Sequence, residues 1–323
     1  MRLPQYVFLL AFISFGLAGA GQAQIKVQSG QKVAFLGDSI TQFGWDRPGG
    51  YVHLVVEGLE SAGVKIVPIP AGVSGNTSRD MLARVDTSVI SKKPDWMTLS
   101  CGANDVLHGA TGGVELEPYK TNITAIVDKA QAAGIKVMIL TSTVLYESRS
   151  NAYNQKVAAY NDFLRQLAKE RSLPLAELNE LFWKALKASP PPHLTVDGIH
   201  MSPEGNILMA RGVLEAFGVP SAQVDAFENT WRQSPTAASV IAQLGLNGVA
   251  PVSLKSYAAL GPVARERKIS PNELQSDLLF EALRTVLKAH EQDATLTPAQ
   301  IQDELQKAFS QKVDEALDTP GKQ

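Results

Sequence analysis

From Lys32 to Gly218 the chain alternates short apolar runs with longer stretches whose apolar residues recur every three or four positions. Short apolar runs of this kind read as strands, and the periodic stretches as amphipathic helices. The predicted strands are Lys32 to Leu36, Val64 to Ile69, Asp95 to Ser100, Ile135 to Thr141 and Leu173 to Ala176. Helices are predicted over Gly50 to Ala62, Thr77 to Ile90, Glu117 to Ala133, Ala152 to Arg171 and Pro203 to Phe217. Gly63 and Gly134 stand where a helix C-terminus favours glycine, and Asn76 or Thr77 supplies a cap at the start of the second helix. Repeated strand–helix–strand units of this length make a parallel sheet with helices on both faces, the α/β class. Ligands of such a sheet bind beyond the carboxyl ends of its strands, near the point where strand order reverses.

Four short segments fall at that rim. Gly37-Asp38-Ser39-Ile40-Thr41 follows the first strand, Gly72-Val73-Ser74-Gly75-Asn76 the second and Gly102-Ala103-Asn104-Asp105 the third. Asp197-Gly198-Ile199-His200 lies in a Pro-rich loop before the last helix, which can return to the same edge. Together they hold the parts of a serine hydrolase. A serine hydroxyl is a weak nucleophile until a base takes its proton, and His200 is the natural base for Ser39. Asp197 would fix the imidazole tautomer and stabilise the imidazolium. The backbone N–H groups of Ser39 and Gly75 and the side-chain amide of Asn104 are the donors expected to meet the oxyanion, and loss of one such donor typically costs ~10²–10³ in rate. Glycine at 75 leaves room for the attacked carbonyl and allows an unusual backbone angle. Asp38 and Asp105 are expected to hold their loops by accepting backbone amides rather than to move protons. Trp45, Arg47, Tyr51, His108 and Tyr146 lie near the rim in sequence and are candidate substrate contacts.

These blocks resemble the SGNH hydrolases, also called the GDSL esterase/lipase family, with Ser39, Gly75, Asn104 and His200 present in the family order. The resemblance spans roughly Val33 to Gly218. It implies a flavodoxin-like three-layer α/β/α sandwich on a parallel five-stranded sheet, and ester hydrolysis through an acyl-enzyme with no cofactor and no metal. Gly72-Val73-Ser74-Gly75 places its second glycine one residue too early for a Gly-x-Ser-x-Gly elbow, which disfavours the ordinary α/β-hydrolase reading.

The ends bear on location and domains. Arg2, the apolar run from Val7 to Ala20 and the small residues before Gln24 read as a secretory signal over residues 1–23. The run is shorter than the ~20 residues that span a bilayer. A secreted or periplasmic protein is expected, without stable membrane insertion once the signal is removed. The net charge of -2, without basic clusters, gives no footprint for nucleic acid. The one cysteine, Cys101, excludes an internal disulfide and reads as a buried thiol. Residues 24–219 form the expected hydrolase domain. Residues 220–323 form a helical extension of unknown role, with apolar spacing over Asn229 to Leu244, Leu278 to His290 and Pro298 to Leu317.

The reading is an exported serine esterase whose partner is a small ester or an acetylated carbohydrate. Its rivals are a lysophospholipase or thioesterase with a long acyl groove, and a non-catalytic carbohydrate-binding or envelope-associated module.

Overall fold

The computed structural model describes residues 25–233 apart from Pro48 and Pro190, single positions between 260 and 285, and the helix Pro298–Asp318. The expected signal, residues 1–23, lies outside the described residues. Five parallel strands make one sheet: β1 (Lys32–Gly37), β2 (Val67–Gly72), β3 (Trp96–Ser100), β4 (Lys136–Leu140) and β5 (Leu175–Ala176), in the order β2-β1-β3-β4-β5. Helices cover both faces, as the repeating units require.

The two central strands explain their own composition. β1 carries Val33, Ala34, Phe35 and Leu36 fully buried, and all of β3 from Trp96 to Ser100 is buried. Strands covered on both faces have no solvent side, so they read as continuous apolar runs rather than alternating ones. β2 is an edge strand and starts three residues later than Val64, the expected start. Its register with β1 aligns Val67 with Lys32 and Gly72 with Gly37. The amides of Val67 and Val73 face the β1 side, bonding Gln31 and Gly37 carbonyls at 2.9 and 3.0 Å. In a pleated strand the intervening even positions face the open edge, so Pro68 and Pro70 sit where no ladder donor is needed.

The helices are α1 (Ser39–Asp46), α2 (Tyr51–Ser61), α3 (Ser78–Ser88), α4 (Ala103–Leu107), α5 (Leu116–Ala132), α6 (Ala152–Glu170), α7 (Leu178–Ala185), α8 (Pro203–Phe217) and α9 (Ser221–Gln233). The caps follow their residues. Thr77 and Asp80 form a reciprocal capping box on α3, Asn151 caps α6 through the amide of Tyr153, and Ser202 caps α8 with Pro203 in the first turn. α1, α4 and α7 were not expected from the sequence, each being too short for a clear period.

α9 starts at Ser221, earlier than the expected Asn229, and residues 234–244 of that expected helix lie outside the described residues. It packs on α8 and α2, and its Val224 and Trp231 belong to the main core. A second apolar cluster, among them Leu260, Leu278, Phe309 and Val313, shares no residue with that core.

Candidate active site

The strand order reverses between β1 and β3, since the chain steps from β1 to β2 on one side and then passes to β3 on the other. Ser39 and Asn104 stand at the carboxyl ends of those two strands, on either side of the crevice. Asp38 caps α1, its Oδ1 accepting the Ile40 amide at 2.9 Å, and this places Ser39 in the first turn. The N–H groups of a first turn have no acceptor within the helix and face outward.

Asp197 and His200 are brought together by a closed loop. An antiparallel bridge joins Thr195 to Met201, and the Val196 amide donates to the His200 carbonyl at 2.8 Å. Within it, Asp197 Oδ1 accepts the amides of Ile199 and His200 at 2.9 and 2.8 Å. Its other oxygen lies 2.6 Å from His200 Nδ1, and His200 Nε2 lies 2.9 Å from Ser39 Oγ. Burial pulls the Asp197 carboxyl upward, but the His200 ring and the two backbone donors outweigh it and hold the group at about 2. Asp197 is therefore a carboxylate at any pH where the imidazole can act as a base. Burial pushes the neighbouring Asp38 up to about 6, opposed by the Ile40 amide and the His200 charge and reinforced by Asp105.

Gly75 has φ +78°, the left-handed region where a side chain is strained, and the space around a Cβ there is empty of protein atoms within 4 Å. The backbone angle, rather than crowding by the protein, demands glycine. Asn104 Nδ2 donates to the Asn76 carbonyl at 3.0 Å, which fixes the amide while its second hydrogen remains for a ligand. Arg84 ties these segments together. Its guanidinium donates to the Gly37 carbonyl at 2.9 Å, to Asn76 Oδ1 at 2.5 Å and to Ser88 Oγ at 3.2 Å. One side chain thus spans the Ser39 turn and the Gly75 loop, and through Asn76 reaches Asn104. Asp105 accepts the Ser78 amide at 2.9 Å, tying the third segment to α3.

On the opposite side, Glu147 Oε1 accepts from the amides of Leu194 and Thr195 and from the Thr195 hydroxyl, at 2.9, 2.6 and 2.6 Å. It anchors the chain leading into the Asp197–His200 loop. Arg84 and Glu147 were not singled out from sequence. Arg84 left a signal, because it stands three residues after Met81 and next to Val85 on the inward stripe of α3, where a cation needs partners. Glu147 left none.

The candidate contacts separate. Arg47 lies over the Phe43 ring at 3.9 Å and lines a narrow recess with Ile40, Phe43, His200, Met201 and Asn206. The Phe43 and His200 ring centroids are 5.0 Å apart. Tyr146 packs against Gly198 and is well exposed. Trp45 stacks on His53 at 4.6 Å, partly buried against the core. His108 is exposed at the end of α4. Tyr51 is a correction: it is fully buried, its hydroxyl paired with Thr41 Oγ1 at 2.9 Å, and burial pushes the phenol above its ordinary range. It supports α1 from beneath and cannot touch substrate. Cys101 is buried with its thiol 3.4 Å from Asp105 Oδ2, and burial pushes it well up, so it is an unreactive thiol.

The family model of the GDSL-like lipase/acylhydrolases matches residues 35–208. An acetylxylan esterase from Geobacillus stearothermophilus is 29% identical over 214 residues, covering 60% of this chain and 97% of that protein. The crystal structure of Axe2, an acetylxylan esterase from the same organism, superposes with a TM-score of 0.56 at 29% identity, covering 61% of this chain and 98% of that one. The acetyl xylan esterase AlAXEase superposes with a TM-score of 0.53 at 33% identity over 57% of this chain and 98% of that one.

Proposed function

The chain belongs to the GDSL-like lipase/acylhydrolase family of serine ester hydrolases, and from that premise we propose that it removes acetyl groups from carbohydrate through a Ser39–His200–Asp197 triad. The observation that carries this reading is the continuous relay from Ser39 Oγ to His200 Nε2 at 2.9 Å and from His200 Nδ1 to Asp197 at 2.6 Å.

In the acylation step Ser39 Oγ attacks the acetyl carbonyl carbon while His200 Nε2 takes its proton. The charge that moves to the carbonyl oxygen meets the N–H of Ser39, the N–H of Gly75 and the Asn104 amide. Donors aimed in advance at the oxyanion cost no reorganisation when it forms. The tetrahedral intermediate collapses, His200 gives its proton to the sugar oxygen, and the alcohol leaves. Water then attacks the acetyl-enzyme by the same route in reverse roles, releasing acetate and restoring Ser39. Asp197, ionised down to about pH 2, keeps Nδ1–H pointed toward itself and Nε2 toward serine.

The acetyl and carbohydrate preferences draw support from the relatives reported above, which are acetylxylan esterases by name. Initial rates on p-nitrophenyl esters of increasing chain length, together with acetate release from acetylated xylooligosaccharide, test the substrate. We expect rates to fall beyond short acyl chains and acetate to be released; rates that rise with chain length would replace this reading with the long-acyl one.

We also propose export, on the strength of residues 1–23, with the mature chain acting outside the cytoplasm. No helix among the described residues is long and apolar enough to cross a membrane. The catalytic unit is proposed to run from Gln24 through α9, with the remaining residues as a separate helical extension.

A further inference from the structure

Among the described residues, the large apolar side chains most open to solvent are Val67, Val73, Tyr146 and Tyr153. Val67 opens the edge strand β2. Val73 leads into Ser74 and Gly75 on the oxyanion side of the site. Tyr146 flanks the other side, its ring so close to Gly198 that a Cβ there would clash with it. Tyr153, in the first turn of α6, stands beside it with ring centroids 5.8 Å apart and planes inclined by 35°.

The backbone is strained to hold this arrangement. Tyr146 and Glu147 have φ +54° and +49°, two consecutive non-glycine residues in the left-handed region. Such a residue is strained and persists only where its surroundings over-determine it. They do so here. The Tyr146 amide donates to the Gly198 carbonyl at 2.6 Å, and Glu147 takes the three donors of Leu194 and Thr195. Asn154 accepts the Leu145 amide at 2.8 Å and donates to the Ser148 carbonyl at 2.7 Å. A strained turn with this much support carries a tyrosine that remains 45% exposed, against the loop that bears Asp197 and His200. Burial in a core does not explain it.

We propose that Tyr146 and Tyr153 form the stacking subsite for a pyranose ring of the leaving alcohol, an inference that rests on the carbohydrate reading above. A pyranose has apolar C–H faces and polar edges. A partly exposed pair of tyrosines offers aromatic surface to the former and leaves the hydroxyls in water. The same openness disfavours an acyl chain, which needs a groove closed to water along its length. Two rings are also far smaller than the apolar patch a stable protein partner requires.

The test uses the full chain and two substrates, acetylated xylooligosaccharide and p-nitrophenyl acetate. Tyr153→Ala is expected to lower the ratio of kcat/KM on the sugar ester to that on p-nitrophenyl acetate by about tenfold, mainly through KM. Tyr153→Phe, which keeps the ring, is expected to restore the ratio. Tyr146→Leu should act in the same direction as Tyr153→Ala. An unchanged ratio in Tyr153→Ala and Tyr146→Leu would overturn the subsite. So would an equal loss in Tyr153→Phe, which would point to the hydroxyl instead, or a loss confined to p-nitrophenyl octanoate, which would make the rings an acyl wall. If the wild type splits p-nitrophenyl acetate through Ser39 but leaves the sugar ester intact, the substrate reading fails separately. Calorimetry with unacetylated xylooligosaccharide then decides the subsite: binding weakened in Tyr153→Ala keeps it, and no binding by the wild type overturns it.

Discussion

At the scale of single residues, the account turns on atoms held for chemistry against the preference of the fold. Gly75 is the clearest. Its φ of +78° lies where only glycine is comfortable, yet a methyl group would meet no neighbour. Gly75→Ala is therefore expected to fold, to shift the N–H away from the oxyanion and to lower kcat by ~10²-fold or more with little change in KM; steady-state kinetics beside a thermal melt checks both halves. Asp38 makes a different prediction. Its folded pKa of about 6 lies above the ordinary 3.8 of aspartate, so the folded chain binds more protons than the unfolded one between those values. Stability from this group is therefore lost as pH rises from about 4 to about 6 and stays lost above that. Asp38→Asn keeps a cap without the charge, so its stability relative to the wild type should climb by up to ~3 kcal/mol across that window, measured by urea unfolding at pH 4 and pH 8. A constant difference would contradict the raised value. Ser39, Gly75 and Asn104 stand in the sequence just past apolar runs, and Asp197 and His200 share one short loop, so all five could be proposed from the sequence; the hydrogen bonds that link Ser39, His200 and Asp197 could not. Tyr51 was misread although its signal was present: it stands four residues before Val55, on the stripe that α2 turns inward.

At the scale of elements, the sheet was readable because β1 and β3 are buried on both faces and therefore uniformly apolar. β2 runs from Val67 to Gly72, later than the expected Val64 to Ile69, and the edge position is what lets the strand carry Pro68 and Pro70. The short helices α1, α4 and α7 lack enough turns to show a period, and the first two carry the serine and the asparagine. What aligns them is a network between elements that no local pattern records. Arg84 on α3 clamps the end of β1 to the Gly75 loop and, through Asn76, to Asn104. Arg84→Met should lower kcat by on the order of tenfold with KM little changed and weaken binding of a transition-state analogue such as a boronic acid, while Arg84→Lys recovers part of the loss. A loss in KM alone would mean that Arg84 shapes substrate binding rather than the oxyanion donors.

At the scale of the whole molecule, the boundary expected at residue 219 cuts through a packed unit. Val224 and Trp231 of α9 are buried in the main core, and Arg211 of α8 pairs with Glu215, Asp225 and Glu228. Arg232 of α9 returns the contact by gripping Glu204 of α8 with two bonds of 3.0 Å. The strands end before residue 219, but the core does not. A chain ending at residue 219 should melt on the order of 10 °C lower than one ending at 233, since a buried tryptophan alone is worth about 3–5 kcal/mol. The chain ending at 233 should keep its activity on p-nitrophenyl acetate. Equal melting of the two would return the boundary to 219. The central claim is that this α/β unit is a serine esterase acting through Ser39, and initial hydrolysis of p-nitrophenyl acetate by the mature chain beside a folded Ser39→Ala variant tests it most directly. The account predicts turnover that falls by ~10⁴-fold or more in the variant. Equal turnover in both proteins would mean that Ser39 is not the nucleophile.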